Sequence, residues 1–219
     1  MNLLNYLLNE VKQQRVGKEA ALGLIMQWRA RTAGQGTAAL HPLLQRNTSE
    51  LSAQRFSTQL TGSEFFLAEH VVRGRRVLPG VASLEMAREA LLQAGVAVQG
   101  QAVRLKNVAW IRPVVVDEPI ELHVGLYQDA HDAITFELYS GDDLVHSEGT
   151  AEVFPPGGAE RLDLDALRAQ CTAGVVAGID CYARFAQVGL DYGPGHQALQ
   201  TVYLGERMAL ARLQLPASV

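Results

Sequence analysis

The pattern of apolar positions in the middle of the chain predicts one long helix with strands before and after it. Apolar residues recur at helical spacing at Val81, Leu84, Ala87, Leu91 and Ala94. Gly95 is a suitable C-terminal cap for this helix. Before the helix, apolar and polar residues alternate from Phe56 to a strand end at Gly62. After the helix they alternate in four segments, which are 103–112 with a register change near Asn107, 120–127, 134–138 and 144–154.

A long helix followed by consecutive antiparallel strands indicates an α+β hot-dog fold, in which a curved sheet wraps around a helix. Segment 63–78, between the first strand and the helix, is expected to be irregular. A Pro-Pro-Gly-Gly turn at 155–158 closes this unit, and a polar connector is expected up to Ile179. Beyond it the pattern predicts a short helix at Tyr182, Phe185 and Val188, a glycine-rich turn at 189–195, and strands at 199–204 and 208–215.

The N-terminal region predicts two short amphipathic helices, at 3–11 and 20–28, followed by a small polar linker at 32–37. Their apolar stripes either dock to a partner helix or pack on their own domain, and both alternatives remain open. The predicted domains are a helical linker or docking segment at 1–36, an N-terminal hot dog at 37–157, and a connector with the incomplete start of a second hot dog at 158–219.

Composition and charge exclude several classes of function. Lys plus Arg is 19 and Asp plus Glu is 23, so the net charge is −4, and without a basic run nucleic-acid binding is not expected. No apolar run approaches the roughly 20 residues that cross a bilayer, so no membrane association is expected. The N-terminus has acidic Glu10 and no signal-peptide cleavage site. Together these features predict a cytoplasmic protein in which Cys171 and Cys181 are reduced thiols.

His70 is the leading candidate for chemistry because of the loop in which it lies. The loop runs from His70 past Gly74 to Pro79 and Gly80, directly before the long helix. A glycine allows a tight turn or a close approach to a ligand, and the first N–H groups of a helix can polarise a carbonyl oxygen. A general base beside such donors is what proton abstraction next to a carbonyl requires.

Two motifs in this chain resemble those of a known family. His70, Gly74 and Pro79 match His-x3-Gly-x4-Pro, the first signature of dehydratase domains in modular polyketide synthases. Residues 189–196, Gly-Leu-Asp-Tyr-Gly-Pro-Gly-His, approximate the second signature, Gly-Tyr-x-Tyr-Gly-Pro-x-Phe. Leu190 and His196 depart from it, as in the subgroup that uses separate acyltransferases. The opening His-Pro-Leu-Leu at 41–44 and segment 64–86 are also similar to that subgroup, and the resemblance covers about 40–215.

The resemblance implies a double hot-dog fold and a hydro-lyase reaction in polyketide antibiotic biosynthesis. The substrate would be a β-hydroxyacyl chain on the phosphopantetheine arm of an acyl carrier protein, with no cofactor and no metal. His70 would take the α-proton, and an Asp on the central helix of the second hot dog would protonate the leaving hydroxyl. Gly74, Pro79, Gly80, Tyr192, Gly193, Pro194 and His196 would bind or position the substrate.

That Asp is expected shortly after the last strand, beyond Val219, either in the same polypeptide or in another. Asp180 and Asp191 are the other candidate acids, but solvent-exposed or capping roles fit them better. The remaining histidines, His41, His123, His131 and His146, show no convergent pattern and are interpreted as structural. No His, Cys or carboxylate cluster has the spacing of metal ligands.

Two alternatives to dehydration remain open. The first keeps the fold and His70 but shifts a double bond or closes an oxygen ring, and an Asn or Val in place of the Asp would favour the double-bond shift. The second is a non-catalytic docking half-domain. Expected partners are an acyl carrier protein, neighbouring synthase domains and the C-terminal complement of the dehydratase, and a homodimer is an open alternative.

Two structural expectations follow from these assignments. Gly74 is expected to adopt positive φ and to allow a close approach of the backbone to a ligand, so that valine there would damage activity. The predicted strands at 199–204 and 208–215 are expected to leave an apolar face uncovered.

Overall fold

A computed structural model describes residues 39–50, 53–97, 101–128, 133–141, 143–155, 157 and 161–217, together with Lys12, Gln13 and Gly17. The two predicted N-terminal helices, the linker at 32–37 and His131 lie outside the described residues. The chain divides into a unit of residues 1–40 and a unit of residues 41–219, and the second unit contains every element named below. Among the described residues, no helix has the length and apolar character that crossing a membrane requires.

The first half of the second unit contains eight strands and two helices. They are β1 (Arg46–Asn47), β2 (Gln54–Leu60), α1 (Phe65–Ala68), β3 (His70–Val72), β4 (Arg75–Arg76), α2 (Gly80–Gln93), β5 (Ala102–Trp110), β6 (Ile120–Gln128), β7 (Ile134–Ser140) and β8 (Leu144–Phe154). Six strands form an antiparallel sheet in the order β1-β2-β6-β7-β8-β5, and α2 packs against it. The predicted hot-dog fold is confirmed.

The core lies between α2 and the sheet, because one face of the helix and one face of each central strand are apolar. Its fully buried side chains include Phe56, Met86, Leu91, Leu122 and Phe136. Burial of one such large apolar side chain stabilises the fold by about 1.5–3 kcal/mol.

The predicted helix is confirmed at Gly80–Gln93, and Gly95 follows it at φ +73°. The predicted apolar stripe is wrong at its first position, because Val81 is 70% exposed. The buried face is rotated towards Ala82, Met86 and Ala90.

Two predictions concern irregular backbone, one within β5 and one in segment 63–78, and the structure confirms only the first. The predicted register change in β5 is confirmed, because Asn107 has φ +51° and the pairing with β8 shifts between Lys106 and Ala109. The expectation that 63–78 is irregular is wrong. It forms α1 and a hairpin of β3 and β4, whose strands are too short to display an alternating pattern.

The second half contains α3 (Leu164–Ala169), β9 (Gly174–Ala177), α4 (Gly178–Gln187), β10 (Leu190–Tyr192), a 3₁₀ turn (Pro194–His196), β11 (Leu199–Leu204) and β12 (Ala209–Leu213). The short helix and both final strands were predicted, although β12 is shorter than 208–215. The connector up to Ile179 is not featureless, because α3 and β9 lie within it. Strands β12, β11 and β9 form one sheet, whereas β10 pairs with β3 of the first half.

Candidate active site

The site begins at the β3–β4 hairpin, which holds His70 next to the start of α2. Arg73 and Gly74, the two residues of its turn, have φ +50° and +77°, as a type I′ turn requires. The predicted positive φ of Gly74 is therefore confirmed. A Cβ at Gly74 would have no protein atom within 4 Å, so the expected close approach to a ligand stays a prediction. Gly74 contributes through the shape of the turn, and it lies at the exposed tip of the hairpin.

A hydrogen bond to the backbone next to the hairpin determines which nitrogen of the His70 ring carries the hydrogen. Its Nδ1 lies 2.6 Å from the carbonyl oxygen of Val77. A carbonyl oxygen only accepts hydrogen bonds, so Nδ1 carries the hydrogen and donates it. In the neutral ring, Nε2 then has an available lone pair. The geometry therefore presents Nε2 as a proton acceptor, which is the state that a general base needs.

His70 lines a cavity of about 320 Å³ that continues to the N-terminus of α2. Most of its wall is apolar, and its apolar residues include Val77, Leu78, Pro79, Ile111, Pro113, Val114 and Leu138. Gly80 and Ser83 contribute the first turn of α2, and Trp110 packs there with its indole N–H donated to the carbonyl of Gly80 at 2.9 Å. The predicted neighbours Pro79 and Gly80 thus share one cavity with His70.

The second motif reaches His70 by strand pairing. In the β10–β3 ladder, Tyr192 lies directly opposite His70, and their ring centroids are 5.3 Å apart. The ring of His196 is 5.6 Å from that of His70, and its Nε2 lies 3.2 Å from the carbonyl oxygen of Phe66. Asp191 is paired with Val71 and is exposed, so it lies on the other face of this ladder from His70.

Glu69 holds the second motif in place, and the sequence analysis overlooked it. The carbonyl oxygen of Glu69 accepts the N–H of Gly193 at 2.8 Å, and its carboxylate accepts the N–H of Gly195. A Cβ at Gly193 would lie only 2.6 Å from Cβ of Glu69, so glycine is required there by close approach. Glycines in the turn were the available signal, but nothing local identifies the residue that they approach.

His146 and Ser147 also line the cavity, and the sequence analysis did not connect either with His70. His146 was interpreted as structural, yet it lies in the cavity wall with Nε2 2.8 Å from Oγ of Ser140. Burial lowers the pKa of His146 below its ordinary 6.5, so the neutral ring is favoured. His123 lies elsewhere, on β6, with Nδ1 2.7 Å from Oγ of Ser57.

One group of side chains has the composition of a metal site. Ligand atoms of His41, Glu85 and Glu89 lie within 4.8 Å of one another, a convergence that the sequence did not indicate. Arg88 already pairs with both carboxylates, at 2.7 Å from Glu85 and 3.3 Å from Glu89. The hydrogen bond from Arg88 is the main reason that the pKa of Glu85 is lowered. An arginine in that position competes with a cation for the same oxygens.

Comparison with known proteins agrees with the motifs and the fold. A family model described as "Polyketide synthase dehydratase domain" matches residues 41–141, and one described as "Polyketide synthase dehydratase N-terminal domain" matches 159–219. Among curated relatives, polyketide synthase PksM of Bacillus subtilis is 42% identical over 187 residues, which are 81% of this chain and 4% of PksM. Polyketide synthase PksN of the same organism is 42% identical over 192 residues, 84% of this chain and 4% of PksN.

Solved structures give the same result. A trans-AT polyketide synthase dehydratase domain from Brevibacillus brevis is 48% identical with a TM-score of 0.79, and the match covers 83% of this chain and 67% of that one. The dehydratase domain of RzxB from Pseudomonas fluorescens is 35% identical with a TM-score of 0.72, and the match covers 81% and 66% of the two chains. The chain therefore belongs to the dehydratase domains of polyketide synthases, a hydro-lyase family, and within them resembles the trans-AT members.

Proposed function

We propose that this protein removes water from a β-hydroxyacyl chain carried by an acyl carrier protein, leaving an α,β-unsaturated thioester during polyketide extension. The observation that carries the proposal is the orientation of His70. Its Nδ1–H is donated to the carbonyl of Val77, and its Nε2 is left to accept a proton beside the cavity. Nε2 takes the α-proton, the Cα–Cβ double bond forms, and the β-hydroxyl leaves as water once an acid has protonated it.

The start of α2 would stabilise the charge that develops on the thioester oxygen. Among the described residues, the backbone N–H groups of Gly80 and Val81 have no acceptor, as is usual at a helix N-terminus. Gly80 lines the same cavity as His70. A base and the N-terminus of a helix at one cavity suit proton removal next to a carbonyl, because free N–H groups there would stabilise the enolate-like oxygen.

The proton donor for the leaving hydroxyl would be an Asp beyond Val219. Two observations support this assignment. The described residues that line the cavity include no Asp or Glu. The similar domain from Brevibacillus brevis is longer, because the match covers only 67% of it. Asp191 is a poor substitute, since it lies on the other face of the β10–β3 ladder from His70.

The other predicted site residues would position the substrate. Tyr192 and His196 lie against the His70 ring, and Gly193 and Pro194 form the turn between them. Gly74 would act indirectly, through the hairpin that orients His70. The acyl group would arrive on the phosphopantetheine arm, without a further cofactor. The expected partners are the carrier protein, the neighbouring synthase domains and the C-terminal complement of the dehydratase.

Mass spectrometry of a β-hydroxyacyl carrier protein incubated with the full-length protein tests the proposal. The variant His70→Ala is expected to lower the rate of water loss by about 10²–10⁴-fold, because it removes the base. The control His123→Gln changes a histidine on β6 that forms no part of the cavity, and it is expected to retain the rate. Equal rates for wild type and His70→Ala would overturn the assignment of the base.

A double-bond shift is the second candidate, favoured by a cavity wall whose described residues include the proposed base His70 and no carboxylate. Moving a double bond needs one base that removes and returns a proton, and no hydroxyl departs. Offering the protein a β-hydroxyacyl and an α,β-unsaturated carrier-protein thioester in parallel distinguishes the two. Loss of 18 mass units from the first supports dehydration, whereas migration of the double bond in the second without any such loss supports the shift.

A further inference from the structure

The wall of the His70 cavity contains two buried polar atoms that have no partner. In the described part of the chain, three buried side-chain polar atoms lack a hydrogen bond, namely Nδ1 of His146, Oγ of Ser147 and Oγ1 of Thr58. His146 and Ser147 are adjacent in sequence, and both line the cavity. They are 4% and 1% exposed. Buried polar groups normally have partners, because leaving one unpaired costs free energy.

A bulge in β8 explains why two consecutive strand residues line one cavity. Leu138 pairs with Ser147 and Tyr139 pairs with Val145, which leaves His146 as the extra residue of β8. Consecutive strand residues otherwise point to opposite faces, and a bulge redirects one of them. The carbonyl of His146 accepts the N–H groups of Ile111 and Arg112 at 2.8 and 3.2 Å, so the bulge is held from the neighbouring chain segment.

The chemistry of the two unpaired atoms defines what they can bind. Ser147 Oγ can donate and accept. The neutral ring of His146 shares Nε2 with Oγ of Ser140 at 2.8 Å, so its Nδ1 donates or accepts according to the direction of that bond. The backbone groups of Arg112 and Pro113 lie near this ring and raise its pKa, but burial lowers the pKa more strongly, and Nδ1 has no hydrogen-bond partner among the described residues. A hydroxyl group fits this pair with either direction of the bond, because it both donates and accepts.

We propose that His146 and Ser147 form a polar subsite that binds a hydroxyl group of the acyl chain, further from the thioester than the reacting β-carbon. The inference rests on the proposed function, because it assumes that an acyl chain occupies the cavity. The cavity wall also includes apolar side chains, such as Leu138 on β7 and Val114, together with Arg112. A purely alkyl chain would leave both polar atoms unpaired, so a hydroxylated chain is preferred. The substrate class is thus a β-hydroxyacyl thioester with a second, distal hydroxyl.

The test compares matched β-hydroxyacyl thioesters of the carrier protein. One has an alkyl tail, and the others carry one extra hydroxyl moved carbon by carbon beyond the β-position. With the full-length protein, at least one hydroxylated chain is expected to have a higher kcat/KM than the alkyl chain. Ser147→Ala is expected to lower the ratio of kcat/KM for the hydroxylated chain to kcat/KM for the alkyl chain by about 2- to 12-fold, as for loss of one hydrogen bond. Thr58→Val is the matched control, because it removes a buried unpaired hydroxyl that does not line the cavity, and the ratio should not change.

A second measurement keeps the subsite testable if no substrate loses water or if Ser147→Ala does not fold. The unsaturated product thioesters, with and without the distal hydroxyl, are titrated into wild-type protein while the ring nitrogens of His146 are followed by NMR. A shift with the hydroxylated product alone supports the subsite even if dehydration fails. The proposal is overturned if no distal hydroxyl raises kcat/KM or shifts the ring, or if Ser147→Ala and Thr58→Val change the ratio equally.

Discussion

Glu69 connects the two motifs through its backbone and its carboxylate, so its effect on catalysis should exceed that of an ordinary surface carboxylate. It accepts N–H groups from Gly193 and Gly195, and the next residue is His70. We expect Glu69→Ala to lower kcat about 10-fold or more, because Tyr192 and His196 would shift relative to His70. Glu69→Gln retains an acceptor oxygen and should be affected less. Steady-state kinetics of both variants measures this.

Glu64 offers a matched control for Glu69. Like the carboxylate of Glu69, which accepts the N–H of Gly195, the carboxylate of Glu64 accepts backbone N–H groups, from Thr61 and Gly62 at 2.9 Å each, but these belong to the turn before α1. Glu64→Ala should lower the free energy of unfolding with a smaller change in kcat. If both alanine variants change kcat and stability in the same proportion, Glu69 acts only through folding.

At the level of the hairpin, the backbone conformation of Gly74 contributes to the stability of the fold. Its φ of +77° is unfavourable for a residue with a Cβ, although the space around it is open. Gly74→Ala should therefore lower the free energy of unfolding by about 1–2 kcal/mol. Gly157→Ala is the control, because its Cβ also meets open space and its φ is not positive. Urea denaturation that gives equal values for both variants would contradict the argument.

Helix α4 begins at Gly178, where the neighbouring strand β11 leaves no space for a side chain. A Cβ there would lie 1.8 Å from the carbonyl oxygen of Leu199 at the start of β11. Alanine is favoured over glycine in helices by about 1 kcal/mol, so propensity alone predicts that Gly178→Ala stabilises the protein. We expect the opposite sign, a loss of about 1–3 kcal/mol from overpacking, measured by urea denaturation. A more stable variant would show that α4 and β11 can separate without cost.

For the molecule as a whole, the free energy of unfolding should decrease as the pH falls, before any carboxylate is protonated. Burial lowers the pKa of both His123 and His146 below 6.5, although the charge of Glu121 partly opposes this at His123. As the pH falls through about 6.5, these two histidines therefore bind protons more readily in the unfolded chain than in the folded one, so unfolding is favoured. Carboxylates with lowered pKa values, such as Glu85, also destabilise the folded state as the pH falls, but only below about pH 4.5.

Urea denaturation from pH 7.5 to 5.5 measures this dependence. The free energy of unfolding should fall across that range in the wild type. The double variant His123→Gln with His146→Gln should show a flatter profile, because the two depressed imidazoles are gone. An equally steep profile in the double variant would assign the effect to other groups.

These 219 residues by themselves should not dehydrate a substrate. The described cavity wall contains the proposed base His70 and no carboxylic acid. Several apolar side chains of the second half are exposed, namely Val175, Ile179, Leu213 and Leu215. Exposed apolar surface of this kind favours association. We expect the isolated polypeptide to be inactive and to self-associate. Adding a segment equivalent to the uncovered third of the Brevibacillus brevis domain should restore water loss. Dehydration by a monomeric 219-residue chain would contradict this prediction.

The sequence by itself determined the elements whose signal is local. Helix α2 and strands β5 to β8 follow from the period of apolar residues, and the positive φ of Gly74 follows from its place in a motif. The order of the motifs also identified the family, and it made His70 the proposed base. Periodicity, turn chemistry and motif spacing depend on neighbours along the chain, so they can be read without coordinates.

Only the tertiary structure decided which distant residues meet at the site. The pairing of β10 with β3, the contact of Glu69 with Gly195 126 residues away, and the bulge at His146 leave no pattern in the sequence. A three-residue strand is too short for alternation to be recognised, and a bulge is defined by the partner strand as much as by its own residues. The proposed base could therefore be named from the sequence, whereas the residues that contact it and the polar wall of its cavity required the fold.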